Sequence, residues 1–292
     1  MLISHEAPLW LANCRFFMKD QQQICVSARY GPSVELHNCE FFTNGQGLLL
    51  MVDKSSKCLV SNCVQAGGKT LGVSSDRPGA REALVRLERN TLATSAWLVH
   101  LSVGGRFSPK QWGLAPEHKL VRIKAADNIL DAKSALTFSQ WPERPPQELW
   151  SGIKGQEAET AFRSMIQWDD GRNVFAPGAS SIYWLISGDI DPPHGPKSLS
   201  SWKKFWGNLN ADALEGQMRY QGGNLSGLLA AGPDKLTAEH FRLRPDSPGY
   251  RAGKDGKDLG ADVDLVGPGP AYERWRKTSE YQQWLKDTKQ VK

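Results

Sequence analysis

Four charged residues are the sequence's best candidates for catalysis: Arg122 and Lys124 in VRIK, and Asp169 and Asp170 in WDDG. Two carboxylates at a suitable separation can divide general-acid and general-base work, and a nearby cation can stabilise developing negative charge. The plainer alternative is that all four are solvated strand and loop charges. A second acidic group, Asp255, Asp258, Asp262 and Asp264, lies in GKDGKDLGADVD. Lys257 stands where a calcium loop of the EF-hand type has an acidic ligand, and no terminal Glu follows at the required distance. A turn-rich closing strand is therefore expected there. The same stretch lacks the Gly-Lys-Ser/Thr of a phosphate loop, and no kinase catalytic motif occurs in the chain.

The histidines (His5, His37, His100, His118, His194 and His240) show no paired-ligand spacing, and no metal or cofactor is expected. The five cysteines (Cys14, Cys25, Cys39, Cys58 and Cys63) are odd in number and contain no CxxC pair. Neither a disulfide framework nor a zinc site is indicated, so they read as small buried side chains. Flat aromatic rings stack on the apolar faces of sugars. Trp112, Trp141, Trp150 and Trp168 all fall in long inter-strand stretches, where the competing role is to pin those stretches to the body of the protein.

What positions these side chains is a repeat. Asn13, Asn38, Asn62, Asn90, Asn128 and Asn173 are each followed by a small or β-branched residue and, one or two positions further on, by a large apolar one. The first spacings, 25 and 24 residues, fall in the range of stacked-repeat architectures. Apolar residues alternate ahead of the first three: Leu9 and Leu11, Val34 and Leu36, Cys58 and Val60. A second strand-like run follows each Asn, as in ICVSA, LLLMV and TLGVS. Two short strands every 24 or so residues leave no room for a crossover helix. Parallel units stacked ~4.8 Å apart fit this spacing. The six asparagines then form one ladder of side-chain amides, and Val26, Leu49 and Leu71 stack along one side. In the fourth and fifth units the alternating residues sit one position further from the Asn, which a one-residue insertion at the bend would explain.

The unit resembles that of the right-handed parallel β-helix, the pectate-lyase-like superfamily. Residues 198 to 264, from SLSSWKKFWG through HFRLRPDSPGYRAG to DLGADVD, are similar to the closing segment of bacterial β-helix proteins. The tail GPGPAYERWRKTSEYQQWLKD resembles the C-terminus of large planctomycete proteins, some of them serine/threonine kinases. The resemblance implies an all-β solenoid over 1–190 with loop excursions at 104–119 and 141–171. It further implies a mixed capping segment over 191–269, in which Trp202, Phe205 and Trp206 cover one end, and a helical tail over 270–292. VRIK and WDDG are similar to elements of polygalacturonase-type hydrolases. Here, however, the acid pair follows the basic element instead of preceding it, and His194 sits in DPPHGP rather than in a Gly-His-Gly.

These features favour a non-enzymatic repeat module that binds a polysaccharide or protein partner. The alternatives are a polysaccharide lyase or glycoside hydrolase, and an accessory region of a kinase whose catalytic domain lies outside this chain. Scattered basic residues and a formal net charge of +5 give little support for nucleic acid. No apolar run reaches the length of a membrane span, and no segment specifies a compartment. Leu9 and Leu11 already belong to the first unit, so self-association through an uncapped N-terminal end is expected, as is further sequence upstream.

Overall fold

The computed structural model describes residues 1–52, 55–75, 82–94, 96–104, 120–141, 155–186, 195–209 and 211–288. All the strands among the described residues fall into three all-parallel sheets. The first contains Leu2–His5, Ile24–Arg29, Gln46–Met51, Lys69–Ser75, Trp97–Gly104, Ser134–Trp141 and Ile182–Ile186. The second contains Leu9–Ala12, Ser33–His37, Ser56–Ser61, Ala83–Glu88, Val121–Ala126 and Ile166–Asp170. The third contains Arg15–Met18, Glu40–Thr43, Val64–Ala66, Thr91–Ala93, Ile129–Asp131, Val174–Phe175 and Leu214–Glu215. Successive strands of each stack are three apart in sequence order, except that Leu214–Glu215, the last of the third sheet, is two after Val174–Phe175; the order is consistent with a β-helix-like solenoid. Each unit thus has three strands where the sequence pattern showed two. The strand missed is the short one directly after the bend, such as Glu40–Thr43.

Inward residues stack in columns fixed by strand register. Val34, Cys58, Val85, Ile123 and Trp168 follow one another in the second sheet, all nearly or fully buried. In the first sheet the inward column is Val26, Leu48, Leu71, Val99 and Leu136. The expected Leu49 instead shares the outward register with Ser27 and Gly72. Each fully buried aliphatic side chain contributes about 1.5–3 kcal/mol.

The bend between the second and third sheets has one length in the third and fourth units. Two residues separate the paired positions Ser61 and Glu88 from the paired positions Val64 and Thr91. The first of them is left-handed: Asn13, Asn38 and Asn62 have φ near +50°, as do Arg89 and Asp127 above them. Asn tolerates this conformation best among residues with a side chain. Asn90 therefore aligns with Cys63, not with Asn62, and no insertion is present. The six asparagines form two columns: Asn13, Asn38 and Asn62 in one, and Asn90, Asn128 and Asn173 continuing the Cys14, Cys39, Cys63 column in the other.

Side-chain bonds run along both columns. In the first, Asn62 Nδ2 donates to Asn38 Oδ1 at 2.6 Å and Asn38 Nδ2 to Asn13 Oδ1 at 3.4 Å. In the second, the backbone N–H groups of Cys63, Asn90 and Asn128 each donate to the Oδ1 of the next Asn at 2.9 Å. Each of the three Nδ2 groups there also reaches a buried carbonyl of a lower unit, Val60, Leu87 or Ala125, at 2.8 Å.

The helices are α1 (Gly155–Met165), α2 (Leu199–Trp206), α3 (Leu225–Ala231), α4 (Pro270–Trp275) and α5 (Ser279–Asp287). α1 and the strand Ile166–Asp170 both fall inside the stretch 141–171 expected to be a loop excursion. α2 lies against the last units, with Trp202 packed on Trp168 and Phe175 at ring centroid distances of 5.1 and 5.9 Å. Leu214–Glu215 adds the last strand at the same end of the third sheet, but the segment from Gly260 to Gly267 does not cap an end. It runs back along the bend as a strap, from Gly260 N–H on the Asp127 carbonyl to Gly267 N–H on the Asn38 carbonyl, both 2.8 Å. Asp262 N–H donates to Asn62 Oδ1 on the way, and Asn13 Nδ2 donates to the carbonyls of Leu265 and Gly267. The tail is two helices rather than one, and Trp275 of α4 stacks on His37.

Candidate binding face

The outer face of the second sheet carries three of the four charged residues singled out in the sequence. Strand alternation sends every second residue outward. Register then aligns Trp10, Glu35, Leu59, Arg86, Lys124 and Asp169 as one column and Lys57, Leu84, Arg122 and Gln167 as its neighbour. Successive members are one unit, ~4.8 Å, apart. The result is a flat strip with one side chain per unit, not a cleft.

Charge on this strip is largely neutralised within it. Arg86 Nε donates to Glu88 at 2.9 Å, and Arg122 is ion-paired with Glu82. The Glu35 and Asp169 carboxylates carry hydrogen-bond contacts rather than ion pairs, to His37 Nε2 at 3.4 Å and from the Gln167 amide at 2.7 Å. Exposed ion pairs contribute ~0–1 kcal/mol each to stability. They leave the strip balanced in sign.

The structure does not bring the acid pair together. Asp170 shares its register with the inward Ala125, while Asp169 shares the outward register with Lys124. Asn173 Nδ2 donates to the Asp170 carboxylate, and burial pushes the group up to about pKa 6 despite that bond. Asp169 and Asp170 therefore face different environments, and one substrate cannot reach both from the outer strip.

The other candidates separate in the same way. Asp258 Oδ1 accepts from Arg251 N–H at 2.9 Å, Asp262 pairs with Lys257, and Asp264 pairs with Arg242. Among the described residues, no group of three His, Cys, Asp or Glu side chains is placed to hold a metal ion. Trp168 is fully buried. Trp112, Trp150, His118 and His194 lie outside the described residues, and Trp141 is described only through its backbone pairing with Gly104.

One pair escaped the sequence reading. On the outer side of the first sheet, His100 Nε2 lies 2.6 Å from Ser139 Oγ, and the Lys69 ammonium sits 4.9 Å over the Trp97 ring. Burial, aided by the Lys69 charge, lowers the His100 pKa to about 4, so the ring is neutral at physiological pH. The two residues lie 39 apart in sequence, in no motif, and only strand register brings them together. Ser139 is almost fully buried, which gives a substrate no approach to its hydroxyl.

No family model matches the chain, and no curated protein or solved structure does either.

Proposed function

We propose that the units wind as a right-handed parallel β-helix of the pectate-lyase-like kind, and that the chain is a non-enzymatic module binding an extended polysaccharide. The handedness follows the rule for parallel crossovers. The observation that carries the function is the strip on the second sheet, with one outward side chain per unit from Trp10 to Asp169. An extended polymer lying along the stack meets a regular series of hydrogen-bonding groups. The internally balanced charge of the strip suits a neutral or weakly charged chain. The lyase or hydrolase alternative is weakened by the split of Asp169 from Asp170. An accessory role beside a kinase domain is compatible with the same module, with a protein segment as the partner.

The test is affinity electrophoresis of the whole chain through gels containing soluble polysaccharides, with release of reducing or unsaturated ends followed in parallel. Retardation by at least one polymer, weakened in an Arg86→Ala/Lys124→Ala double variant and without chain cleavage, is the expected result. Catalytic release of ends that is lost in Asp169→Asn would favour the enzyme. Retardation unaffected by the double variant would remove the strip from the function.

A further inference from the structure

A second site lies on a different side of the molecule. Between the far ends of the third-sheet strands and the 217–230 segment is a cavity of about 450 Å³. That volume falls within the ~300–1,000 Å³ typical of small-molecule sites. One wall comes from successive units: Asn44, Gly67, Thr94 and Asp131 each stand at or just beyond the end of a third-sheet strand. The opposite wall comes from Gln217, Met218 and Tyr220 together with α3.

Gly67 sets how closely the two walls approach. Its φ is +80°, and a Cβ there would lie 2.2 Å from Leu229 Cδ2 and 2.6 Å from the Thr43 carbonyl oxygen. Glycine therefore lets α3 close over the strand ends while the cavity remains beside it.

The chemistry of the lining is selective. Among the described residues it contains no Lys, Arg or His and a single carboxylate, Asp131. The other polar groups are neutral amides and hydroxyls, among them Gln21, Asn44, Thr94 and Gln217. Thr94 is almost buried, and its hydroxyl has no hydrogen-bond partner among the described residues. Tyr220 O–H donates to Asp131 Oδ2 at 3.1 Å, which fixes the carboxylate against the wall. Met218 and Leu225 add apolar surface. An anionic ligand would find no cation among these groups. A ligand dense in hydroxyls would find a carboxylate and amides that each bond two of them, with apolar surface for its C–H face.

We infer that this cavity binds one neutral sugar unit, with Asp131 and the surrounding amides taking its hydroxyls. The site does not depend on the strip of the second sheet, although both readings take carbohydrate as the ligand.

Saturation-transfer NMR of the whole chain with cellobiose, maltose and lactose tests it, because a disaccharide offers the cavity its one sugar unit but is too short to use the strip. Transfer to at least one sugar, with affinity reduced tenfold or more in Asp131→Asn and reduced in the exposed Gln217→Ala, is the expected result. Arg86→Ala/Lys124→Ala should leave that signal unchanged. Gln217→Ala keeps the test decisive if Asp131→Asn does not fold. The inference is overturned if no disaccharide binds, if both cavity variants bind as the wild type does, or if glucuronate competes as well as the neutral sugars. Polysaccharide retardation without disaccharide binding would overturn the cavity and leave the strip standing.

Discussion

The N–H of Cys63 donates to Oδ1 of Asn90 at 2.9 Å, across the point where the bend's second position changes from cysteine to asparagine. Below it, Cys39 N–H meets only the Cys63 sulfur, at 3.3 Å. Above it, every bend is held by an amide that accepts from the backbone and donates to a buried carbonyl. The upper half of the column is therefore the more strongly bonded half, because sulfur is a weak acceptor.

Replacing Asn128 with Ala should be among the most damaging single changes in the chain. It would leave the Asn90 N–H without its acceptor in a buried bend, and would take one of two bonds from the Asn90 side-chain amide and the Asn128 bond from the Leu87 carbonyl. Each unsatisfied buried group costs about 1–3 kcal/mol. A loss of about 3 kcal/mol or more is expected in urea unfolding. Cys39→Ala should cost less than half as much. Equal losses would show that the two halves of the column are held alike.

The strap makes a separate prediction. Glu40 is fully buried, ion-paired with Arg15, and accepts from Ala238 N–H at 2.9 Å. Gly267 passes so close that a Cβ there would lie 2.5 Å from the carboxylate. Removing Glu40 leaves the partly exposed Arg15 unpaired and the buried Ala238 N–H without its acceptor, a cost of about 1–3 kcal/mol. Glu40→Ala should therefore loosen the strap before the units beneath it. Hydrogen exchange should rise over 238–267 while protection of Leu84–Leu87 stays as in the wild type. A uniform rise across both regions would contradict this.

The stacked strands were legible because period and alternation are local. Leu9 and Leu11, Val34 and Leu36, and Cys58 and Val60 mark their strands in the sequence, and the left-handed bend selects Asn directly after them. Two things were not legible. From the fourth unit onward Asn stands one bend position later, which mimics an insertion until register shows Arg89 taking the left-handed residue. The strap has no period at all. Asp262 meets Asn62 two hundred residues away through backbone groups that any sequence could supply. The apparent acid pair misled for a simple reason: adjacent strand residues point to opposite faces, so Asp169 and Asp170 are separated by the element that carries them.

The cysteines should be inert in the folded protein. Four of the five are buried, and burial raises Cys25 to about pKa 11 and Cys58 to about 12. Cys39 is raised well above the ordinary thiol value by burial, and Cys14 is raised chiefly by its hydrogen bond with Cys39. Thiolate is the reactive form. Iodoacetamide at pH 8 should label the native chain at least a hundredfold more slowly than the chain in guanidinium. Rapid native labelling at Cys39 or Cys63 would show that the bend opens.

His100 and Asp170 should give opposite pH dependences that largely cancel. Asp170, raised to about pKa 6, holds a proton in the fold that the unfolded chain has released between about pH 4 and 6. Its contribution to stability is therefore largest at low pH and is lost as pH rises through that window. His100, lowered to about pKa 4, is neutral in the fold where the unfolded chain's histidine is charged, between about pH 4 and 6.5. Its contribution is complete above that window and is lost as pH falls. Each slope is at most about 1.4 kcal/mol per pH unit. The wild-type melting temperature should be nearly flat from pH 4.5 to 6 as far as these two groups determine it, and single variants should unmask the slopes. His100→Gln should melt at lower temperature as pH rises, and Asp170→Asn at higher temperature. Parallel slopes in the two variants would mean that at least one of the groups is solvated like a surface residue.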